Sequence, residues 1–125
     1  MPTSTTRRTL GLQGETIATQ HLLGLGWQLV ERNWRCRTGE IDLIMQDGTT
    51  LVIVEVRTRR GKVAMENALA SVNARKQAKL MELAMAYRLE KDINEAIPMR
   101  IDVVGVALGN DGTFAVKVIH DALSW

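Results

Sequence analysis

The sequence predicts an α/β fold in which a central mixed sheet is flanked by helices. Three observations lead to this prediction. Two segments have the spacing of apolar residues that is typical of helices, five shorter segments have the composition of strands, and Gly-containing turns separate two pairs of those strands. The elements follow one another in the order α-β-β-β-α-β-β, which implies a mixed sheet with helices packed on it.

The first helix is predicted over residues 9–25, and Gly26 can end it. Its apolar residues recur at the spacing of one helix face, which carries Ala18, Leu22 and Leu25. Residues 1–8 are predicted to be a disordered tail. Residues 9–125 are therefore expected to form a single domain.

Three strands are predicted next. The first covers residues 27–36, where the two faces of a strand can be assigned. Residues 40–46 and 49–57 are predicted to form a hairpin, because Asp-Gly between two β-rich runs favours a tight turn in which Gly takes a positive φ. The run 51–54 is continuously apolar, so this third strand is expected at the centre of the sheet.

The second half of the chain completes the pattern. A basic loop is predicted over residues 58–63, and a helix over residues 64–91. Residues 94–98 break the helical pattern. Two further strands, 100–108 and 113–119, are joined by a turn with Gly at both ends, so they are expected to form a second hairpin.

Composition excludes several classes of protein. With 46% hydrophobic residues in a chain of 125, a core can form without disulfides or structural metals. Cys36 is the only cysteine, which excludes an intrachain disulfide and a cysteine-rich zinc site. No window approaches the roughly 18 apolar residues that would span a membrane. We therefore expect a cytoplasmic protein without a membrane partner.

The distribution of charge is more informative than the net charge of +2. Residues 1–62 carry nine Lys or Arg and six Asp or Glu, whereas residues 63–125 carry seven and eight. If acids of the first part bind a metal ion, the remainder of that part becomes a cationic surface suited to phosphates.

Two pairs of charged residues occupy the predicted hairpin. Glu40 and Asp42 are two positions apart and share a face of their strand, as do Glu55 and Arg57. A tight turn is expected to place Glu40 opposite Glu55, and Asp42 opposite Ile53 and diagonal to Glu55. Three carboxylates and one guanidinium then converge on one face. A register shift of one residue would separate Asp42 from Glu55.

Such a cluster is costly without a partner, because like charges repel and a central strand offers little water. A divalent cation would offset this cost. Mg²⁺, with Mn²⁺ as a substitute, prefers oxygen ligands and can hold a nucleophilic water while it neutralises charge on a phosphoryl oxygen. The alternative interpretation is that these acids are solvated or simply paired with Arg57.

Five short motifs of the chain are Gly14-Glu15, Glu31–Arg35, Gly39–Ile44, Val52–Arg57 and Arg100–Val104. Together they resemble the motifs of the YraN-like family of uncharacterised predicted endonucleases. That family is similar to archaeal Holliday junction resolvases and has the PD-(D/E)XK, restriction-endonuclease-like fold. The resemblance spans residues 9–108 and implies a Mg²⁺-dependent endonuclease, so residues 9–125 would form a single nuclease-like domain. Its implied partner is DNA, including branched or junction DNA, and its implied oligomer is a homodimer.

The resemblance also implies roles for individual residues. Asp42 and Glu55 would bind the metal, together with the backbone carbonyl of Val56. Glu15 would reach the same metal or its water; the alternative is an ordinary glutamate on the helix surface. Two further residues would support the cluster without binding the ion, Glu40 beside it and Gln77 on the second helix.

Arg57 departs from the nuclease motif, which has lysine at this position. Arginine keeps the positive charge and can bind phosphate through two hydrogen bonds. It cannot lose its proton at ordinary pH, so it cannot serve as a general base. The chain could therefore be an active nuclease or a nucleic-acid-binding module that lost catalysis. A third alternative is a scaffold that binds proteins through a sheet edge.

Basic residues near the predicted site could bind the backbone of DNA, by charge and shape rather than by base sequence. The predicted nucleic-acid-binding residues are Arg35, Arg37, Arg59, Arg60, Lys62 and Lys76. Such residues are more often simply the solvated face of a loop or helix, which is the alternative here.

Overall fold

The computed structural model describes residues 6–123, in which three helices and five strands are formed. Their bounds are α1 Arg7–Gly24, β1 Gln28–Cys36, β2 Gly39–Asp47, β3 Thr50–Arg60, α2 Ala64–Ala70, α3 Ala74–Glu90, β4 Met99–Leu108 and β5 Phe114–Ile119. The strands form one sheet in the order β1-β2-β3-β4-β5. The pair β3–β4 is parallel and the other pairs are antiparallel, so the predicted mixed α/β sheet is confirmed.

Helices cover both faces of this sheet, because a parallel strand pair needs a crossover and a buried strand needs apolar cover on each side. α2 and α3 form the crossover from β3 to β4. The core on the α3 face includes Ile41, Ile44, Ile53, Leu80, Leu83 and Ile101. The core on the α1 face includes Ala18, Leu22, Leu43, Val52, Val54 and Val104. As predicted, the run 51–54 is buried on both sides.

The predicted second helix is in fact two helices. α2 ends at Ala70 and α3 begins at Ala74, after a break at residues 71–73. Asn73 has extended backbone angles, and its side-chain oxygen accepts a hydrogen bond from the Lys76 N–H. Asparagine is a favoured N-cap because it satisfies a free N–H group of the first turn, and this local preference overrides the helical pattern across the break.

The prediction of a disordered tail over residues 1–8 is wrong for the last of these residues. Thr6 caps α1 by accepting a hydrogen bond from the Thr9 N–H, so Arg7 and Arg8 already belong to the helix. Residues 1–5 of that prediction lie outside the described residues. At the other end, Gly26 follows the helix with φ +93°, which agrees with the predicted end. No helix in the described range 6–123 is long and apolar enough to cross a membrane.

β3 extends further than predicted, to Arg60. Thr58, Arg59 and Arg60 pair with residues of β4, so they belong to a strand and not to a basic loop. The parallel strand β4 supplies hydrogen bonds that the local sequence pattern of β3 does not predict. Gly61, with φ +102°, ends the strand, and Lys62 lies in the turn that follows.

The hairpin register differs from the predicted one by two residues. Asp47 pairs with Thr50, so Gly48 and Thr49 form the turn, and Gly48 takes the positive φ of +60°. The predicted pairs of Glu40 with Glu55 and of Asp42 with Ile53 are therefore wrong. Because the shift is an even number, every side chain keeps its face.

Candidate functional site

A cleft of about 700 Å³ opens where β2 begins and β3 ends, between α1 and α3. Its charged lining consists of four acids and four bases: Glu15, Glu40, Asp42, Glu55, Arg7, Arg57, Arg59 and Lys76. The structure thus brings the predicted acids and Arg57 to one place. The pairing of β2 with β3 ends at Leu43 and Val54, and the next residues along the two strands are Asp42 and Glu55.

Asp42 lies just beyond Leu43 and Val54, the last paired residues of β2 and β3 at this end. One of its carboxylate oxygens accepts a hydrogen bond from the Val56 N–H at 2.8 Å. Burial, and then the charge of Glu55, raises the pKa of the Asp42 carboxyl to about 8. The backbone hydrogen bond acts in the opposite direction but does not compensate. Two acids are therefore held side by side at a substantial electrostatic cost.

Glu55 is 4% exposed and is neutralised by two cations. The Arg57 Nη2 atom lies 2.9 Å from its Oε2 atom, and the Lys76 Nζ atom lies 3.3 Å from the same oxygen. The alternative of a simple Arg57–Glu55 pair thus describes only part of the arrangement. Lys76, predicted as a contact to the DNA backbone, instead points into the centre of the site from α3.

Glu15 faces the cleft and not the surrounding solvent. The Asn33 amide donates to Glu15 Oε1 at 3.1 Å and to Glu40 Oε1 at 3.2 Å. Burial, followed by the charges of Glu40 and Glu55, raises the pKa of the Glu15 carboxyl above its ordinary value. A solvated surface glutamate would not show this environment, so the geometry favours a place in the site.

Asn33 was not predicted from the sequence, although it joins two acids of the cleft. It lies within β1 at φ +55°, a left-handed conformation that asparagine tolerates better than most residues. The one available signal was its residue type, because asparagine is uncommon inside strands.

Gly14 brings Glu15 into the cleft. A Cβ atom at this position would lie 1.7 Å from Thr58 Oγ1, so α1 can rest on β3 only because residue 14 has no side chain. Thr58 is itself buried. The close approach of helix and strand therefore sets the position of the next residue, Glu15.

Gln77 does not line the cleft, which corrects its predicted place near the site. Its amide donates instead to the Val72 carbonyl at 3.0 Å, across the break between α2 and α3. A polar group on the first turn of α3 is needed there to satisfy a carbonyl that the helix break leaves free.

The predicted DNA-binding residues separate into two groups. Arg59 and Lys76 line the cleft, and Arg35 borders it through a 3.1 Å ion pair with Glu40. The other three, which are exposed and do not line the cleft, are Arg37, Arg60 and Lys62. Together, the two groups give this end of the sheet, where β3 ends, a concentration of positive charge.

The carboxylates of the cleft are the candidate ligands for a metal ion. Within residues 6–123, no three His, Cys, Asp or Glu side chains are grouped so as to hold one. Asp42 and Glu55 are a pair, and the Val56 backbone also lines the cleft. Mg²⁺ commonly binds through one or two carboxylates and keeps its waters, so the pair fits this ion in number and in chemistry. Glu15, held by Asn33, does not complete a three-carboxylate site.

Comparison with known proteins places the chain among its relatives. The sequence model of the uncharacterised protein family UPF0102 matches residues 14–106. A UPF0102 protein of Clavibacter michiganensis subsp. michiganensis is 45% identical over 118 residues, which cover 94% of this chain and 98% of the relative. A UPF0102 protein of Stutzerimonas stutzeri is 47% identical over 96 residues, covering 77% of this chain and 79% of the relative.

Among solved structures, the chain is similar to Pyrococcus furiosus SfsA in complex with Ca²⁺, with a TM-score of 0.40 and 14% identity. The match covers 88% of this chain but only 62% of SfsA. A structural similarity at this level does not support any conclusion about function. The sequence matches are far stronger: a family model covers residues 14–106 and relatives exceed 40% identity. The chain therefore belongs to the uncharacterised protein family UPF0102, the YraN-like family that its motifs resemble.

Proposed function

We propose that the protein is a metal-dependent endonuclease that hydrolyses phosphodiester bonds in DNA. One observation carries the proposal: two acids from adjacent strands, Asp42 and Glu55, lie side by side in an open cleft that is also lined by four cations. Holding two ionised carboxylates together in this way is unfavourable unless a cation lies between them. The resemblance to predicted endonucleases supports the same reading of the site.

Asp42, Glu55 and the Val56 carbonyl would hold the ion, Mg²⁺ or Mn²⁺. When bound, the ion would supply an activated water and neutralise charge on the reacting phosphoryl group. Glu15 would act beside it. Asn33 uses one oxygen of the Glu15 carboxylate, so the second oxygen is available to hold the attacking water, and the raised pKa of Glu15 favours uptake of a proton.

The cations of the cleft would act on the substrate. Arg57 and Lys76 can stabilise the negative charge that develops on the reacting phosphate, while Arg59 and Arg7 can contact phosphates on either side. Arg57 keeps its proton throughout. Such a cleft recognises backbone and shape, and the family resemblance suggests branched DNA and a homodimer that presents two sites to it. We also expect the protein to act in the cytoplasm.

A second candidate is a nucleic-acid-binding module without catalytic activity. The observation that favours it is Arg57 itself, because the motif's lysine is replaced by a group that cannot exchange a proton. This candidate predicts salt-sensitive binding of DNA and no cleavage.

The test is a nicking assay on duplex, single-stranded and four-way junction DNA, with Mg²⁺ or Mn²⁺ and with EDTA as the blank. Asp42→Ala and Glu55→Ala should each lower the rate at least about 100-fold, because each removes a ligand of the ion. Glu82→Ala, which changes an exposed acid on α3, is the matched control and should be without effect. Cleavage that survives in both site variants would refute the assignment, and wild-type binding without cleavage would favour the second candidate.

A further inference from the structure

We infer that Arg57 and Lys76 act as place-holders for the divalent ion in the metal-free protein, and that they pass from Glu55 to the substrate phosphate when the ion is bound. This inference rests on the proposed nuclease function. It assigns the two cations a second state that the structure itself does not display.

The arrangement at Glu55 suggests this exchange. Both cations approach one oxygen atom, Oε2, at 2.9 and 3.3 Å, and the carboxylate is 4% exposed. Together they bring two positive charges to a buried acid, which is the charge that a divalent ion would bring. The ion and both cations cannot occupy that oxygen together, because like charges at contact distance repel strongly where water is scarce.

Arg57 is poorly bonded in its present position. Within the described part of the chain, its Nε atom is buried and has no hydrogen-bond partner, and Nη2 is the atom that lies 2.9 Å from Glu55. A guanidinium forms its strongest contacts when two N–H groups bind one carboxylate or phosphate. A phosphate entering the cleft would therefore offer Arg57 a better partner than Glu55 does.

Lys76 is also free to move. It lies in the first turn of α3, where the helix macrodipole disfavours a positive charge. Its side chain is 29% exposed, and the contact to Glu55 is the one that its ammonium makes among residues 6–123. The flexible four-carbon stem allows the ammonium to swing toward an anion in the cleft.

Two other cations provide matched controls. Arg59 lines the same cleft, but its guanidinium donates to the Thr58 carbonyl at 2.8 Å and does not touch Glu55. Lys79 lies one turn further along α3 and contacts the Thr38 carbonyl and Glu82. Changing Arg59 reports the effect of removing any charge from the cleft, and changing Lys79 reports the effect of removing a lysine from the helix.

The first experiment measures Mn²⁺ binding without DNA, by electron paramagnetic resonance of the free ion. Lys76→Met should tighten Mn²⁺ binding about fivefold or more, because a charge in contact with Glu55 no longer competes with the ion. Arg59→Met should change the affinity much less, and Lys79→Met should leave it unchanged. Equal affinities in Lys76→Met and Arg59→Met would overturn the inference.

The second experiment uses the wild-type protein, so it does not depend on a variant. The side-chain ammonium signals of Lys76 and Lys79 are followed by NMR as Mg²⁺ is added. Release from Glu55 should shift the Lys76 signal and speed its hydrogen exchange, while Lys79 should not respond. A Lys76 signal unchanged at saturating Mg²⁺ overturns the inference but leaves the nuclease proposal intact. Absence of ion binding in both wild type and Lys76→Met would instead remove the proposed function on which the inference rests.

Discussion

At the scale of single residues, the two neighbouring acids of the cleft are accommodated in different ways. Glu55 is paired with Arg57 and Lys76, whereas Asp42 accepts a hydrogen bond from a backbone N–H and forms no ion pair within residues 6–123. Burial and the charge of Glu55 raise the pKa of Asp42 to about 8, which favours a bound proton there in the folded protein. A proton on Asp42 would reduce the repulsion between the two acids.

This asymmetry predicts how stability depends on pH in metal-free protein. The Asp42 pKa rises from 3.8 to about 8 on folding, so the folded state binds the extra proton between these values. Its contribution to the free energy of unfolding is complete below the lower value and is lost as pH rises through the higher one. Asp42→Asn, which carries no charge to begin with, should lack this slope.

The measurement is urea unfolding of the wild type and of Asp42→Asn, in EDTA, at about pH 5 and about pH 8. Relative to Asp42→Asn, the wild type should lose on the order of 2 kcal/mol across this range. Parallel pH profiles of wild type and Asp42→Asn would show that Asp42 is not protonated in the folded state.

At the scale of elements, the site depends on how closely α1 approaches β3. Gly14 and Thr58 are in direct contact, and a methyl group at residue 14 would overlap Thr58 Oγ1. The approach matters for the cleft because Glu15 is the adjacent residue and depends on α1 for its position. The packing of α1 on β3 thus also determines where the Glu15 carboxylate lies in the cleft.

Gly14→Ala should therefore destabilise the protein by about 2 kcal/mol or more, because α1 must move away from a buried residue. The matched control is Gly11→Ala in the same helix, where an added Cβ meets nothing within 4 Å. There the higher helix propensity of alanine should stabilise the protein by up to about 1 kcal/mol. Both values come from denaturant unfolding curves.

Adding Thr58→Ala to Gly14→Ala tests the cause. Removing Oγ1 makes room for the new methyl group, so part of the lost stability should return. A double variant no more stable than the sum of its single changes would mean that the contact is not the reason.

At the scale of the whole molecule, a buried network ties the sheet together at the end of β2 away from the cleft. Asp102 on β4 is fully buried and accepts hydrogen bonds from Arg100 Nε at 3.0 Å and from the Asp121 N–H at 2.8 Å, and it lies 3.0 Å from His120 Nδ1. Arg100 also reaches Asp47 at 3.1 Å. The network thus joins β2, β4 and the segment after β5.

Asp102→Ala should cost about 3–5 kcal/mol, because it leaves the partly buried Arg100 guanidinium without its main partner. Glu95→Ala, a change at an exposed acid, should cost little. Denaturant unfolding measures both. At temperatures where Asp102→Ala remains folded, its Mn²⁺ affinity should equal that of the wild type, because the network lies away from the cleft. A weaker affinity would mean that the two ends of the sheet are coupled.

Much of the fold could be predicted because its signals are local. The predicted bounds of β2 and β4 differ from the observed bounds by no more than one residue at each end. Gly26, Gly48 and Gly61 lie where the chain changes direction. The faces of Asp42 and Glu55 were predictable even with a wrong register, because a two-residue shift preserves the alternation of side chains. Their roles stay predictions.

Other features could not be predicted because they depend on distant residues. β3 continues to Arg60 because β4 supplies the pairing, and Lys76 reaches Glu55 from the first turn of α3, a separate helix that begins after the Asn73 cap. Asn33 connects α1 to β2 across residues that no short pattern relates. Each of these contacts joins elements that are brought together only by packing.

By itself, the sequence determined the α/β class, the sheet-forming runs, and the acids and bases available for chemistry, because composition and periodicity act over a few neighbouring residues. Tertiary structure decided which of them meet. It brought two cations to one oxygen of Glu55, buried Asp42 so that its pKa rises, and turned Glu15 toward the cleft. The physical reason is that the energy of a charge depends on burial and on its nearest partners, and both are set only when helices and strands pack.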